Sequence, residues 1–216
     1  MTYPRILPVG EAAVTVELGD RLDPALNARV HALDAHLTRL APPGLQETVP
    51  TYRSLLVRYD PARLPPDALK ALLAAALDTL ETAPLPEGRL IEIPVHYGDS
   101  AGPDLVSVAR HCGLPPAEVI RRHTAPTYQV AMLGFAPGFA YLLGLDPALA
   151  TPRLATPRTR IPPGSVGIAG AQTGVYALPT PGGWQLIGRT THRLFDPAAD
   201  DPFTLHAGDR VRFVAQ

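Results

Sequence analysis

The chain has 216 residues, of which 46% are apolar, and a formal net charge of −1. This composition excludes a disordered chain, and a charge near zero argues against a nucleic-acid partner. The single cysteine, Cys112, excludes internal disulfides and a zinc site built from several cysteines. No apolar run approaches the roughly 20 residues that span a bilayer, and the N-terminus lacks a signal-peptide pattern, so we expect a cytoplasmic protein without a membrane partner.

The first half of the chain alternates between strand and helix patterns. A strand is predicted over residues 12–18, followed by a helix that Asp23 caps and Pro24 begins. Two short strands follow, then a helix over residues 64–80 with leucines at helical spacing. The stretch "RLIEIPVHYG" closes the series as a further strand. The order β-α-β-β-α-β predicts a ferredoxin-like two-layer α/β domain, which we assign to residues 1–88.

The second half has a different pattern. Two short helices are predicted over residues 103–111 and 115–123, with Gly113 ending the first. From Tyr128 onward, glycine and proline interrupt short apolar runs every six to ten residues, which is typical of an all-β barrel or sandwich. We therefore expect an α+β protein whose second domain covers residues 89–216. The Gly- and Pro-rich stretch 156–190 is predicted to be several strands with tight corners rather than a long loop.

The charges are unevenly distributed. No Asp or Glu occurs between Asp146 and Asp196, a stretch that contains five arginines. Such a segment indicates a local anion site or a surface for an acidic partner. The alternative is that acidic residues from the other half of the chain neutralise it. The five are Arg153, Arg158, Arg160, Arg189 and Arg193.

Familiar catalytic motifs are not found. A phosphate loop needs a lysine, and the only one, Lys70, falls within a predicted helix. Ser165 stands in "PGSVG", which has Pro163 where a nucleophile elbow requires glycine. The histidines lack the spacing of a metalloprotease helix, so no metal site is predicted. The chain therefore carries no self-sufficient catalytic apparatus.

The remaining polar candidates lie in glycine-rich corners. Gln172, Thr173, Tyr176 and Arg189 follow or flank such corners, where backbone N–H groups can bind a carboxylate or phosphate oxygen. A reaction that builds a phosphorylated intermediate from an amide would use such groups, because negative charge develops on oxygen. The alternative is that these side chains satisfy buried backbone groups at barrel corners.

Aromatic residues crowd a sharp turn in "GFAPGFAYLLGLD". Phe135, Phe139 and Tyr141 flank a turn at Pro137 and Gly138. They either plug one end of the barrel or form an apolar wall or a contact for another chain.

The sequence around this turn and the glycine-rich corners resembles that of a known protein family. The stretch from "MLGFAPGF" to "GGWQLIGRT" closely resembles the central signature of the 5-oxoprolinase B-subunit family, which is also called KipI-like or allophanate hydrolase subunit 1-like. "GEAAVTVELGDRLDPALNARVHAL", "VPTYRSLLVRYDP", "RLFDP" and "AGDRVRFV" extend the resemblance over nearly the whole chain. It implies a cyclophilin-like β-barrel as the second domain.

The resemblance also implies a function. It makes the chain a non-autonomous part of an enzyme that opens 5-oxo-L-proline to L-glutamate with ATP (Mg), alongside a KipA-like C-type chain and a LamB/YcsF-like A-type chain. The alternatives are a KipI-like regulator that inhibits a sporulation histidine kinase, and a member of a urea or allophanate amidohydrolase system. Neighbouring A-type and C-type genes would distinguish them.

The family motif falls on specific positions, although it does not tell which of them touch substrate. Our candidates for substrate or anion binding are Arg158, Ser165, Gln172, Thr173, Tyr176 and Arg189. Our candidates for a partner interface are Phe135, Pro137, Phe139, Tyr141 and Trp184. The other motif positions are Gly138, Pro162, Gly164, Gly170, Gly174 and Gly188.

Overall fold

The computed structural model describes residues 2–80 and 88–216. The chain divides into two compact units, Met1–Glu87 and Gly88–Gln216. Residues 81–87, which precede the predicted boundary between residues 88 and 89, lie outside the described residues. Among the described helices, none is both long and apolar enough to cross a membrane.

The N-terminal unit is a four-stranded antiparallel sheet with two helices on one face. The strand order is β1-β2-β4-β3. Alternate strand residues such as Val16 and Val57 are fully buried against helix residues such as Leu33 and Leu73. The elements are β1 (Arg5–Pro8), β2 (Ala13–Glu17), α1 (Pro24–Leu40), β3 (Leu45–Pro50), β4 (Ser54–Tyr59) and α2 (Pro66–Leu80).

Local sequence sets the ends of α1, as predicted. The Asp23 carboxylate accepts hydrogen bonds from the backbone N–H groups of Ala25, at 2.9 Å, and Leu26, at 3.4 Å, and Pro24 occupies the first helical turn. The helix ends at Leu40, and the next residue, Ala41, caps it with a left-handed φ of 42°. The predicted start of this helix is confirmed.

The expectation that "RLIEIPVHYG" closes the first sheet is wrong. That strand, β5 (Leu90–Tyr97), belongs to the second unit. The edge position beside β2 is filled instead by β1, which pairs with β2 antiparallel. Alternating apolar residues identify a strand but not the sheet it joins, since pairing partners are set by non-local contacts. The sequence prediction also did not include β1, a four-residue strand close to the start of the chain.

The second unit is a closed seven-stranded barrel, in the order β10-β7-β6-β13-β5-β12-β9. The β5–β13 pair is parallel, and the other barrel pairs are antiparallel. A hairpin of β8 and β11 forms a separate two-stranded sheet. The barrel strands after β5 are β6 (Tyr128–Leu133), β7 (Ala140–Leu143), β9 (Ser165–Ala169), β10 (Gln172–Val175), β12 (Gln185–Arg189) and β13 (Arg210–Ala215); the hairpin strands are β8 (Arg158–Ile161) and β11 (Thr180–Gly182).

The two short helices expected from the sequence are present, and they pack against the barrel core. They are α3 (Leu105–Cys112) and α4 (Pro116–Thr124), and Gly113 ends α3 with a φ of 66°. Val108 and Val119 are fully buried with the interior residues of the barrel. The prediction that residues 156–190 form strands with tight corners is also confirmed. The sequence prediction missed β7, β8 and β11, because three or four residues are too few to show a period of two.

Candidate functional site

A pocket of about 540 Å³ opens where β12 ends. Arg189, the last residue of β12, lines it together with Thr190 and His192 of the following segment. Apolar walls come from Leu178 and Phe195, among others. A volume of this size accommodates a small organic ligand.

A proline-glycine turn forms one wall of this pocket. Pro163 and Gly164 are its central residues, and the Ser165 N–H donates to the Pro162 carbonyl oxygen at 3.4 Å. Gly164 has a φ of 79°, the left-handed value that the third position of a type II turn requires. Its carbonyl oxygen accepts the backbone N–H of Thr190 at 2.9 Å, which fixes the turn against the end of β12.

Arg189 is the candidate cation that the structure leaves available. Its side chain is exposed, and its guanidinium has no hydrogen-bond or ion-pair partner among residues 2–80 and 88–216. The neighbouring Arg193 is paired with Asp196 at 2.7 Å. An unpaired guanidinium at the wall of a pocket can bind a carboxylate with two parallel hydrogen bonds. The predicted anion-binding role of Arg189 thus has a fitting location.

Arg158, in contrast, is engaged within the chain. Its Nη2 lies 2.7 Å from Oδ1 of Asp104, a carboxylate that is itself largely buried at the start of α3. The other oxygen, Oδ2, accepts the backbone N–H of Leu186 at 2.7 Å. Arg158 is therefore neutralised, but by a carboxylate of its own unit and not by one from the other half of the chain, as the alternative expected. One guanidinium nitrogen, Nη1, is buried without a partner in the described part of the chain.

Thr173 belongs to a closed network inside the barrel. Its hydroxyl donates to the Gly167 carbonyl oxygen at 2.9 Å and lies 2.9 Å from Nε2 of His123. Nδ1 of His123 lies 2.8 Å from the Tyr97 hydroxyl. Because the Thr173 proton is used on Gly167, His123 donates from Nε2 and accepts at Nδ1 from Tyr97. Thr173 and His123 are both fully buried, so neither is open to a ligand.

Burial keeps this histidine neutral. Desolvation lowers the pKa of His123 to about 3, because the charged imidazolium would lose its hydration without gaining a carboxylate. The ring stacks on Phe213 with centroids 4.8 Å apart. The network therefore stabilises the barrel interior.

Ser165 and Gln172 occupy strand ends. The Ser165 hydroxyl is buried and donates to the Pro162 carbonyl oxygen at 2.8 Å, so it braces the turn beside the pocket. Gln172 is half-buried at the start of β10, opposite Ala169. Neither residue is among those that line the pocket.

The remaining aromatic candidates pack together on the outside of the barrel. Gly167 and Gly174 are cross-strand partners, and Phe139 and Trp184 lie over them. A Cβ at Gly174 would come within 3.2 Å of both rings and 2.7 Å of the Ala140 carbonyl oxygen. Only glycine, which has no Cβ, therefore lets the two rings pack directly against the backbone at this position.

Tyr176 is part of the same cluster. Its ring centroid lies 4.9 Å from that of Phe139, and burial raises its pKa to about 12, while a hydrogen bond from the Trp184 backbone lowers it. Phe139, Tyr176 and Trp184 are each at most 4% exposed. Of the five interface candidates, Phe139 and Trp184 are thus enclosed by their own unit. Pro137 is exposed, Tyr141 is half-buried, and Phe135 is 61% exposed.

Sequence reasoning missed three residues that organise this unit. Asp104, His123 and His192 were not singled out, although Asp104 binds Arg158, His123 centres the interior network, and His192 lines the pocket. Asp104 contacts Arg158 and His123 contacts Thr173, and each pair is separated by far more residues than a helix turn or a tight turn spans. Local patterns carry no signal for contacts of that separation.

The chain is similar to known proteins along nearly its whole length. The sequence matches the family described as "Carboxyltransferase domain, subdomain C and D" over residues 4–205. It is 46% identical to the 5-oxoprolinase B subunit of Escherichia coli O157:H7, covering 100% of this chain and 98% of that protein. It is 42% identical to the 5-oxoprolinase B subunit of Bacillus subtilis (strain 168), with 97% and 92% covered. The chain belongs to the 5-oxoprolinase B-subunit family.

Solved structures agree with this family assignment. The crystal structure of TTHA0988 superposes with a TM-score of 0.84 at 41% identity, covering 95% of this chain but only 40% of that one. More than half of TTHA0988 therefore lies outside the match. The Kluyveromyces lactis urea carboxylase superposes with a TM-score of 0.73 at 22% identity, over 100% of this chain and 23% of that one, and shows a shared fold alone.

Proposed function

We propose that this chain works as the B-type component of an ATP-dependent 5-oxoprolinase, which converts 5-oxo-L-proline to L-glutamate together with a KipA-like C-type chain and a LamB/YcsF-like A-type chain. The observation that carries the proposal is end-to-end similarity to proteins named as the B subunit of 5-oxoprolinase, at 46% and 42% identity. That similarity favours this function over the kinase-inhibitor and urea-pathway alternatives. The single free cysteine suits the cytoplasm, where we place the complex.

The Arg189 pocket supplies a substrate site consistent with this reaction. 5-Oxoproline carries a carboxylate beside a small lactam ring, and the pocket pairs an unengaged guanidinium with apolar walls such as Leu178 and Leu194. We propose that Arg189 binds the carboxylate and so positions the ring. Opening the lactam breaks its C–N bond. Water supplies the oxygen of the new carboxylate and the two protons that the released nitrogen takes up, while ATP is converted to ADP and phosphate.

The rest of the chemistry must come from another chain. No Asp or Glu is among the described residues that line the pocket, so it offers no carboxylate base. ATP with Mg²⁺ also needs oxygen ligands for the metal. The nearby Asp196 is occupied by Arg193. The pocket's residues therefore do not fit Mg·ATP, and we assign no ATP step to this chain.

The proposal extends to the fold and the domain division. The N-terminal unit keeps the strand order of a ferredoxin-like sheet, with β1 in the edge position that a strand after α2 would normally fill. We propose that it is a ferredoxin-like variant, that the barrel is cyclophilin-like, and that the two fold as domains 1–88 and 89–216.

Reconstitution from purified chains tests the function. We expect glutamate to form from 5-oxoproline and ATP when the A-type and C-type chains are combined with this chain, and not when any one of the three is omitted. Glutamate release and ADP formation would be measured in parallel. A heat-unfolded sample of this chain is the matched control. An unchanged rate without this chain would refute the proposal.

A further inference from the structure

The turn between β6 and β7 holds an exposed aromatic side chain in an unusual backbone conformation. Phe135 has a φ of 66°, which is rare and costly for a bulky residue. Across it, the Ala136 N–H donates to the Gly134 carbonyl oxygen at 2.7 Å, so Phe135 is the centre of a γ-turn. Its side chain is nonetheless 61% exposed. The turn therefore holds a bulky residue in a strained backbone conformation while most of its ring remains exposed to solvent.

That ring is held in a fixed orientation. It contacts Phe139 and Tyr176 edge-to-face, with centroids 5.5 and 6.4 Å apart, and both of those residues are buried. A ring that is already immobilised loses little conformational entropy when a partner covers it. Phe135 therefore has the properties of a preorganised anchor.

The aromatic cluster on which the ring packs also contacts a cation, because Phe139 touches Trp184 as well as Phe135. The guanidinium carbon of Arg153 lies 6.0 Å from the centroid of the Trp184 ring, and the Tyr141 ring lies 5.9 Å from Trp184. Arg153 has no carboxylate partner among the residues that the structure describes. Aromatic residues and arginine dominate the energetic centres of protein interfaces, and an unpaired cation complements a partner's carboxylates. We refer to Phe135, Tyr141 and Arg153 as the Phe135 surface.

The turn that carries Phe135 also packs against the pocket wall. Gly138, with a φ of 74°, approaches so closely that a Cβ placed there would lie 2.9 Å from the Cβ atoms of Ala177 and Phe195. Both of those residues line the Arg189 pocket. A partner seated on the turn would therefore be close to the rim of the pocket.

We propose that the Phe135 surface is the docking site of a partner polypeptide, which encloses the Phe135 ring in an apolar cavity and places carboxylates opposite Arg153. A polypeptide occupant is supported by TTHA0988, since this chain matches only 40% of that one and the rest is further protein joined to the matching region. The inference rests on the proposed function in one respect: the partner is the KipA-like C-type chain.

Binding of the purified C-type chain to this full chain tests the proposal without requiring enzymatic activity. We expect Phe135→Ala to raise the Kd by about 30-fold, as for an interface hot spot. Phe135→Gly should weaken binding similarly while relieving the strained φ, so its Tm should not fall below that of Phe135→Ala. Val106→Ala is the matched control, since Val106 is 60% exposed on α3, and it should leave the Kd unchanged.

Reversing the charge of Arg153 is a second test of the proposed docking site. Arg153→Glu should weaken binding about tenfold, whereas Arg110→Glu, at an exposed position on α3, should not. Folded Phe135 variants that bind like the wild type would overturn the proposal, and so would a wild-type chain that does not bind the C-type chain. If binding follows the expected pattern but the three mixed chains form no glutamate, the docking site stands and the proposed function fails.

Discussion

Two cationic regions of the barrel unit, drawn from the same acid-free stretch of sequence, have different surroundings. Arg158 is held by Asp104, whose second oxygen also binds the Leu186 backbone. Arg189 lines a pocket and has no such partner in the described structure. The charge of Arg158 is neutralised by a carboxylate of the same unit, although its Nη1 has no partner among the described residues, whereas Arg189 has no carboxylate beside it there and is our candidate for binding a ligand. The comparison teaches that the availability of a charge, more than its presence, indicates a site.

The largest effect is expected at the ion pair between Arg158 and Asp104. Asp104→Ala leaves the Arg158 guanidinium half-buried without its carboxylate and removes the acceptor for Leu186, which should lower the free energy of unfolding by about 3 kcal/mol. Urea denaturation would measure it. Asp104→Asn, which keeps an acceptor, should lose less, and Asp200→Ala at an exposed position is the control. Equal stability of Asp104→Ala and the control would show that the pair does not hold this unit together.

The next effect concerns activity rather than stability. Arg189→Ala should lower kcat/KM for 5-oxoproline in the reconstituted enzyme by about 30-fold, which corresponds to one lost charge-assisted hydrogen-bonding contact of about 2 kcal/mol. Its Tm should match the wild type, since the side chain is exposed and unpaired among the described residues. Arg189→Lys keeps the charge but not the two parallel hydrogen bonds, and should fall in between.

Arg160→Ala is the matched control for this experiment. Arg160 is an exposed arginine of the same segment that does not line the pocket, so its loss should leave kcat/KM unchanged. If Arg189→Ala lowers the Tm as strongly as it lowers the rate, Arg189 belongs with Arg158 as a structural residue, and the comparison between the two regions breaks down.

The smallest effect is a pH dependence of stability from the barrel interior. His123 has a pKa of about 3 in the folded chain against 6.5 for an unperturbed side chain. Between these values the unfolded chain binds the extra proton, so stability falls as the pH drops through 6.5 towards 3. From about pH 6 to about pH 5, His123 should account for a loss of about 1 kcal/mol.

Urea denaturation at the two pH values would isolate this contribution. His123→Phe should be less stable than the wild type at both, because Tyr97 loses its partner, but should show a smaller change between them. The exposed His111→Gln should keep the wild-type change. A His123→Phe chain with the wild-type pH dependence would mean that His123 does not titrate as its burial requires.

Local sequence signals predicted much of this molecule. Asp23 and Pro24 define the start of α1, Gly113 ends α3, and the Pro-Gly pairs at 137–138 and 163–164 form tight turns, because caps and turns depend on residues only a few positions apart. The strands within residues 156–190 and the resemblance to the family could likewise be found from residues that are close together in the sequence. The pairing of strands that are distant in the chain could not be predicted in this way, and β5 was assigned to the wrong sheet for that reason.

The candidate site, too, was only partly predictable from the sequence. Composition drew attention to an arginine-rich, acid-free segment, and the sequence named Arg158, Thr173, Tyr176 and Arg189 on equal terms. Only the tertiary structure separates them, since it closes Thr173 into the interior, covers Tyr176 with aromatic rings and brings Asp104 to Arg158. Arg189 remains because the closed barrel, as far as the described residues show, places no carboxylate beside it. Whether a charge is neutralised depends on residues that meet only when distant strands pair.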